Sequence, residues 1–265
     1  MSTNMNKAGA MHVDLPQIIA KAGFTLAEGA THVDLLPTNA KKGFTLAEVL
    51  ITLGIIGIVA AMTIPQLQNT LRKQRMRTQF LKSYSTLQQV FKKMEADDVV
   101  MDSSVYGSNS GRFFFREVEK YVKPLQVCFQ NRGIYSYPCY NHAGSAKYKN
   151  LTGTVPIPNS KFDDGQIVLM DGTLLLFESP TAGSPIIIFV DINGYEKLPN
   201  RLGYDLFAFQ FVDGTLKTMG DSGTTYIEPE QFCKKQGGNA NNGMACAFKA
   251  LKDPMYFKNL DKPTD

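Results

Sequence analysis

Histidine is scarce in this chain: His12, His32 and His142 are the only three in 265 residues. The shortage bears on hydrolytic chemistry. Gly220-Asp221-Ser222-Gly223 imitates the nucleophile segment of a serine protease, but a triad also needs a base and an orienting acid. His142, in Tyr-Asn-His-Ala-Gly, has no such context, and Asp-Ser-Gly is ordinary turn chemistry. H-E-x-x-H, P-loop and G-x-G-x-x-G patterns are absent. No enzyme is expected. The four cysteines, Cys128, Cys139, Cys233 and Cys246, form no C-x-x-C pair, which argues against a zinc knuckle or a thioredoxin-type site. Net charge is only +4, too weak to indicate nucleic acid. The basic residues cluster only at Arg72, Lys73, Arg75 and Arg77. That run reads as a solvated helix face rather than a phosphate-binding patch.

Apolar residues make up 43% of the chain, enough for a sizeable core. From Phe44 to Ile64 run 21 residues with one formal charge, Glu48. As a helix they span about 31 Å, close to the thickness of a hydrocarbon layer. Gly54 and Gly57 inside it permit close helix packing. Pro65 follows where such a helix leaves the apolar layer, and it should kink or loosen the helix. A cleaved secretory signal is the rival reading, with Ala60-Ala61-Met62 imitating its cleavage site. Against it, the helical pattern continues without a break. Leu67, Leu71, Met76, Phe80, Tyr84, Leu87, Phe91 and Met94 form an amphipathic stripe fit to pack on a sheet.

Ahead of the apolar run stands Lys41-Lys42-Gly43-Phe44-Thr45-Leu46-Ala47-Glu48. With the run that follows, this stretch resembles the N-terminal signature of type IV prepilins and of type II secretion pseudopilins. The resemblance covers Lys41 to about Met94. It implies that a membrane peptidase cuts between Gly43 and Phe44 and methylates the new amino terminus at Phe44. It implies that Glu48, the fifth mature residue, pairs with the amino terminus of a neighbouring subunit, and that Pro65 belongs to the assembly segment. The physics agrees, since an acid at the centre of a membrane helix costs roughly 2.5–3.5 kcal/mol without a partner, and less near the interface. Charge alone does not orient the helix. Lys41 and Lys42 favour a cytoplasmic N-terminus, and Arg72 to Arg77 oppose it. The resemblance decides for an inner-membrane, single-pass subunit with its N-terminus inside, which later enters a periplasmic or extracellular filament. Its implied partners are other pilin or pseudopilin subunits, the prepilin peptidase, an inner-membrane assembly platform and the bilayer. The alternative is a membrane-anchored periplasmic enzyme or binding protein.

The leader holds a repeat. Gly9–Glu28 and Gly29–Glu48 agree at 14 of 20 positions, including both Gly-Phe-Thr-Leu-Ala-Glu strings. The first copy is followed by Gly29-Ala30-Thr31-His32 and no apolar run, so it cannot insert as a membrane helix. It reads as a duplicated leader or an early start, not as a second peptidase site. The expected organisation is a leader over 1–43, a transmembrane helix over 44–64, its amphipathic continuation over 65–97 and a globular region over 98–265.

In the last of these, a short helix is expected within Gly111–Val122, a linker over Asp102–Gly111 and loop over Asn131–Lys161. Strand signals follow. Gln166–Met170 and Thr173–Phe177 flank Asp171-Gly172 as a hairpin. Ile186–Val190 is a third strand. Leu206–Val212 and Thr215–Thr218 flank Asp213-Gly214 as a second hairpin. The fold class is α+β and pilin-like: a long N-terminal helix, half membrane and half amphipathic, packed on an antiparallel sheet. Cysteine spacing suggests the local pairs Cys128 with Cys139 and Cys233 with Cys246, although four cysteines allow three pairings and reduced thiols are the alternative. The Cys233–Cys246 loop resembles the disulfide-closed C-terminal region of many pilins. Asp191 to Asp205 is the most site-like loop. Asp191, Asn193 and Asp205 offer oxygen ligands that calcium could use, as some pseudopilins do in a comparable place. The competing reading is a plain Asp/Asn/Gly turn with no cofactor.

Overall fold

A computed structural model describes residues 43–102, 105, 114–128, 137–141, 146–178 and 184–261. The leader repeat, most of the expected linker and His142 lie outside them. Two compact units divide the chain, Met1–Ile51 and Thr52–Asp265. Helix α1, Leu46–Ala96, begins in the first. All six strands lie in the second.

From Met76 onward α1 is one-sided. Met76, Phe80, Ser83, Leu87, Val90, Phe91 and Met94 are buried, at the three- and four-residue steps of a helix face. Leu67 and Leu71, which continue the stripe upstream, are exposed. Pro65 lies inside α1 and does not end it. A short helix α2 covers Phe114–Glu119.

The sheet is a six-stranded antiparallel meander in chain order. Its strands are β1 (Pro124–Cys128), β2 (Gln166–Leu169), β3 (Leu174–Glu178), β4 (Ile187–Asp191), β5 (Leu206–Val212) and β6 (Thr215–Thr218). The two hairpin turns differ: two residues, Asp213-Gly214, join β5 to β6, whereas Leu169 pairs with Thr173 and so three residues, Met170-Asp171-Gly172, join β2 to β3 instead of the expected Asp171-Gly172 pair. At Asp213-Gly214 both residues have positive φ, 52° and 71°, as the tight turn that matches strand twist requires. At Asp171-Gly172 the aspartate Oδ1 accepts the Thr173 N–H at 3.1 Å.

Alternation along β5 shows how the sheet sits. Phe207, Phe209 and Phe211 join the cluster that holds the α1 stripe. Leu206 and Ala208 join a second cluster with Tyr140, Tyr148, Phe162 and Phe189 on the opposite face. Successive strand residues point to opposite faces, so a sheet covered on both faces needs continuous apolar strands. Phe80 stands at the centre of the helix side, with ring centroids 4.6 Å from Phe207 and 5.7 Å from Phe257.

Two disulfides join Cys128 to Cys139 and Cys233 to Cys246, with Cα separations of 6.2 and 5.0 Å. The second ties helix α3, Pro229–Phe232, to the start of helix α4, Cys246–Lys252. The sequence reading contained neither short helix, nor strand β1. Replacing Cys233 and Cys246 together by serine should lower stability by about 2–4 kcal/mol, since the bridge closes a short loop. Denaturant unfolding of the two chains compared under oxidising conditions checks this.

Candidate functional site

The start of α1 is built around its one acid. Thr45 precedes the helix, and both its N–H and its O–H donate to Glu48 Oε2 at 2.8 Å. In return the Glu48 N–H donates to Thr45 Oγ1 at 3.2 Å. This reciprocal pair is a capping box, with threonine at the N-cap and glutamate three residues on. It also places the carboxylate at the positive end of the helix dipole. Glu48 is therefore satisfied within its own chain, which the sequence reading of a lone acid missed. The signal was present in the Thr-x-x-Glu spacing.

Around this box the surface is apolar and uncovered. Phe44 is 89% exposed. Leu50, Ile51, Ile55, Ile56 and Ile58 are exposed as well. Among the described residues a Cβ added at Gly54 or Gly57 meets nothing within 4 Å, so both glycines leave open room on the helix surface. The apolar part of α1 is long enough to cross a membrane, and none of it is buried in the protein. Beyond it, Arg72 Nη2 donates to the Leu198 carbonyl at 3.4 Å and Lys73 Nζ to the Lys258 carbonyl at 2.9 Å. Two members of the basic run thus hold loop carbonyls.

The loop after β4 brings Asp191, Asn193 and Asp205 together. Asp191 Oδ1 accepts the N–H groups of Asn193 and Gly194 at 3.1 and 2.9 Å, and its Oδ2 accepts the Tyr148 hydroxyl at 2.7 Å. Asp205 Oδ1 accepts the Arg201 N–H at 2.7 Å, and its Oδ2 accepts the Asn200 N–H at 2.9 Å and Asn193 Nδ2 at 3.4 Å. Gly194 turns at φ +82°, and a Cβ there would stand 2.8 Å from the Gly172 carbonyl oxygen. Both carboxylates are fully buried. Two buried oxygens nearby, Asn193 Oδ1 and Asn200 Oδ1, have no hydrogen-bond donor among the described residues. They are of the type a hard cation takes, and Asp191 and Asp205 retain lone pairs beyond the donors they accept.

Burial, then repulsion from Asp205, pushes the Asp191 carboxyl well above the carboxylate range; burial does the same to Asp205. The folded chain then holds protons that the unfolded chain has released above about pH 4. Stability falls wherever the folded state binds more protons and pH rises. With a chelator present, the unfolding temperature is expected to drop from about pH 4 up to about pH 8, as Asp205, Asp191 and the likewise buried Glu178 ionise in turn. Asp191→Asn should flatten that slope. Thermal melts of both chains across this window check it.

The Gly220–Gly223 segment is a turn. Asp221 Oδ1 accepts the Ser222 N–H at 2.7 Å and the Ser222 hydroxyl at 3.4 Å, and Thr224 Oγ1 donates to the Asp221 carbonyl at 2.7 Å.

No curated protein and no solved structure matches this chain. Residues 38–64 match the model described as the prokaryotic N-terminal methylation motif, and so this chain carries the type IV prepilin and pseudopilin signature.

Proposed function

We propose that this chain is a structural subunit, a pilin or pseudopilin, that assembles into a type IV pilus or a type II secretion pseudopilus and carries no chemistry of its own. The observation behind this reading is the methylation motif seated on an exposed, membrane-length helix whose later turns pack on a sheet. In this reading the prepilin peptidase removes residues 1–43 and methylates Phe44. The mature chain rests in the inner membrane with its N-terminus on the cytoplasmic side, handled by an assembly platform, and then enters a filament. Glu48 exchanges its local threonine partner for the Phe44 amine of the next subunit. The exposed apolar surface, with open room at Gly54 and Gly57, supplies the contact between helices, where small residues allow close approach. Pro65 marks the boundary between the membrane half and the half that carries the globular region.

The test is peptidase dependence. The chain should shorten by its 43-residue leader in cells that hold a prepilin peptidase and stay full length in cells that lack one. Equal lengths in both would contradict the reading.

A second proposal concerns the loop after β4. Asp191, Asn193 and Asp205 would hold calcium there, favoured by the unpartnered amide oxygens of Asn193 and Asn200. Its role would be to hold the loop in place. Calcium should then raise the unfolding temperature of the parent chain, and Asp191→Asn should remove that part of the rise.

A further inference from the structure

A different group of acids lies at the other end of β4. Glu178, the last residue of β3, pairs with Ile187, the first of β4, whereas Asp191 is the last residue of β4. Four residue steps along β4, about 13 Å, separate the two places. At this end Asp163 and Asp164 follow a short 3-10 helix, Asn159–Lys161. Phe162 anchors them, its ring 5.1 Å from Tyr148 and 5.0 Å from Phe189. The Asp164 N–H donates to the Phe177 carbonyl at 3.2 Å and the Phe177 N–H to the Gly165 carbonyl at 3.0 Å. That pairing sets Asp164 beside Glu178. Carboxylate oxygens of Asp163, Asp164 and Glu178 all lie within 4.8 Å of one another.

Proximity of acids alone does not make a site. The second observation is the state of Glu178. The residue is 93% buried by its 7% exposure, and among the described residues its Oε2 has no hydrogen-bond donor. A buried carboxylate oxygen without a donor is costly. Among the described residues Asp164 and Asp163 repel the charge of Glu178 and Lys161 attracts it. A positive ion among the three would satisfy the orphan oxygen and remove the repulsion together.

We propose that Asp163, Asp164 and Glu178 form a binding site for a hard divalent cation, calcium in preference to magnesium. An all-carboxylate oxygen set selects hard cations over zinc or copper. Calcium takes six to eight oxygen ligands in flexible geometry, whereas magnesium demands a near-ideal octahedron, keeps several waters and is usually held by one or two carboxylates, so a trio of protein carboxylates favours calcium. Asp163 is exposed, so ions reach the site from solvent while Asp164 and Glu178 supply the buried floor. The bound ion would join the segment before β2 to the end of β3 and hold that corner of the sheet. The site does not depend on the filament reading.

The experiment is calorimetric titration of the full chain, in detergent micelles and stripped with chelator, with calcium chloride and separately with magnesium chloride. Glu178→Gln and Asp191→Asn chains are run beside the parent. Glutamine keeps the shape of Glu178 and relieves repulsion, so this variant should fold at least as well as the parent in chelator. The expected result is calcium binding to the parent that is at least about tenfold tighter than magnesium. Glu178→Gln should lose one equivalent or weaken it at least about tenfold, and Asp191→Asn should leave that equivalent in place. Absence of calcium binding in the parent overturns the proposal, and so does a titration unchanged by Glu178→Gln. Loss of all binding in Asp191→Asn overturns it too, since the ion would then belong to the loop after β4.

Discussion

Phe80→Ala is expected to lower the unfolding free energy by about 3–5 kcal/mol, the range for truncating a buried aromatic. Phe80 is fully buried among three aromatic rings of the globular unit. Its ring contacts reach Phe207 and Phe209 on β5 and Phe257 after α4. Two of these rings are fixed on β5, so they cannot swing in to fill the space. Against a typical total of about 5–15 kcal/mol, such a loss leaves the globular unit marginal. Leu81, the next residue on α1, is 38% exposed. Leu81→Ala should cost less than about 1 kcal/mol, as substitutions away from the core do. Denaturant unfolding of both variants in one detergent measures the contrast. Equal losses would mean that the stripe from Met76 to Met94 does not seat the helix on the sheet.

Glu48→Gln is expected to abolish filament assembly, a loss of at least about a hundredfold in assembled subunit, while leaving processing intact. The capping box makes this variant more telling than Glu48→Ala. Glutamine at the third helical position still completes a capping box with threonine, so the helix start is preserved and only the charge is removed. Alanine removes both. Thr45→Val supplies the converse, because it keeps the carboxylate and deletes the hydroxyl that now holds it. If Glu48 acts by pairing with a neighbouring amine, Glu48→Gln and Glu48→Ala fail alike and Thr45→Val assembles. If its role is capping alone, Glu48→Gln assembles normally and Glu48→Ala is weakened by about 1 kcal/mol at the helix end. Quantifying sheared filaments against total subunit separates these outcomes.

The long apolar helix and five of the six strands were legible because their signals are local. The stripe from Met76 to Met94 and the paired runs around Asp171-Gly172 and Asp213-Gly214 each need only their own neighbours in sequence. Strand β1 was not legible. Pro124 opens it and Val127 is only half-buried, and its place comes from pairing with β2 some forty residues later. The helices on either side of the Cys233–Cys246 bridge are short, and tertiary contact rather than periodicity makes them. The segment expected as loop, Asn131–Lys161, supplies Tyr140 and Tyr148 to the core. Its aromatic residues were visible, but an irregular backbone gives no period that says which way they face. The loop after β4 could be found from its oxygen-rich composition. The trio of Asp163, Asp164 and Glu178 could not, because a strand pairing brings together residues that have no motif spacing.

The central claim is that Phe44 becomes the first residue of a working subunit. Intact-mass measurement of the chain purified from membranes of cells holding a prepilin peptidase tests it most directly. The account predicts one species that starts at Phe44 and carries one added methyl group. A chain that keeps residues 1–43, or one cut after the apolar run near Met62, would contradict it.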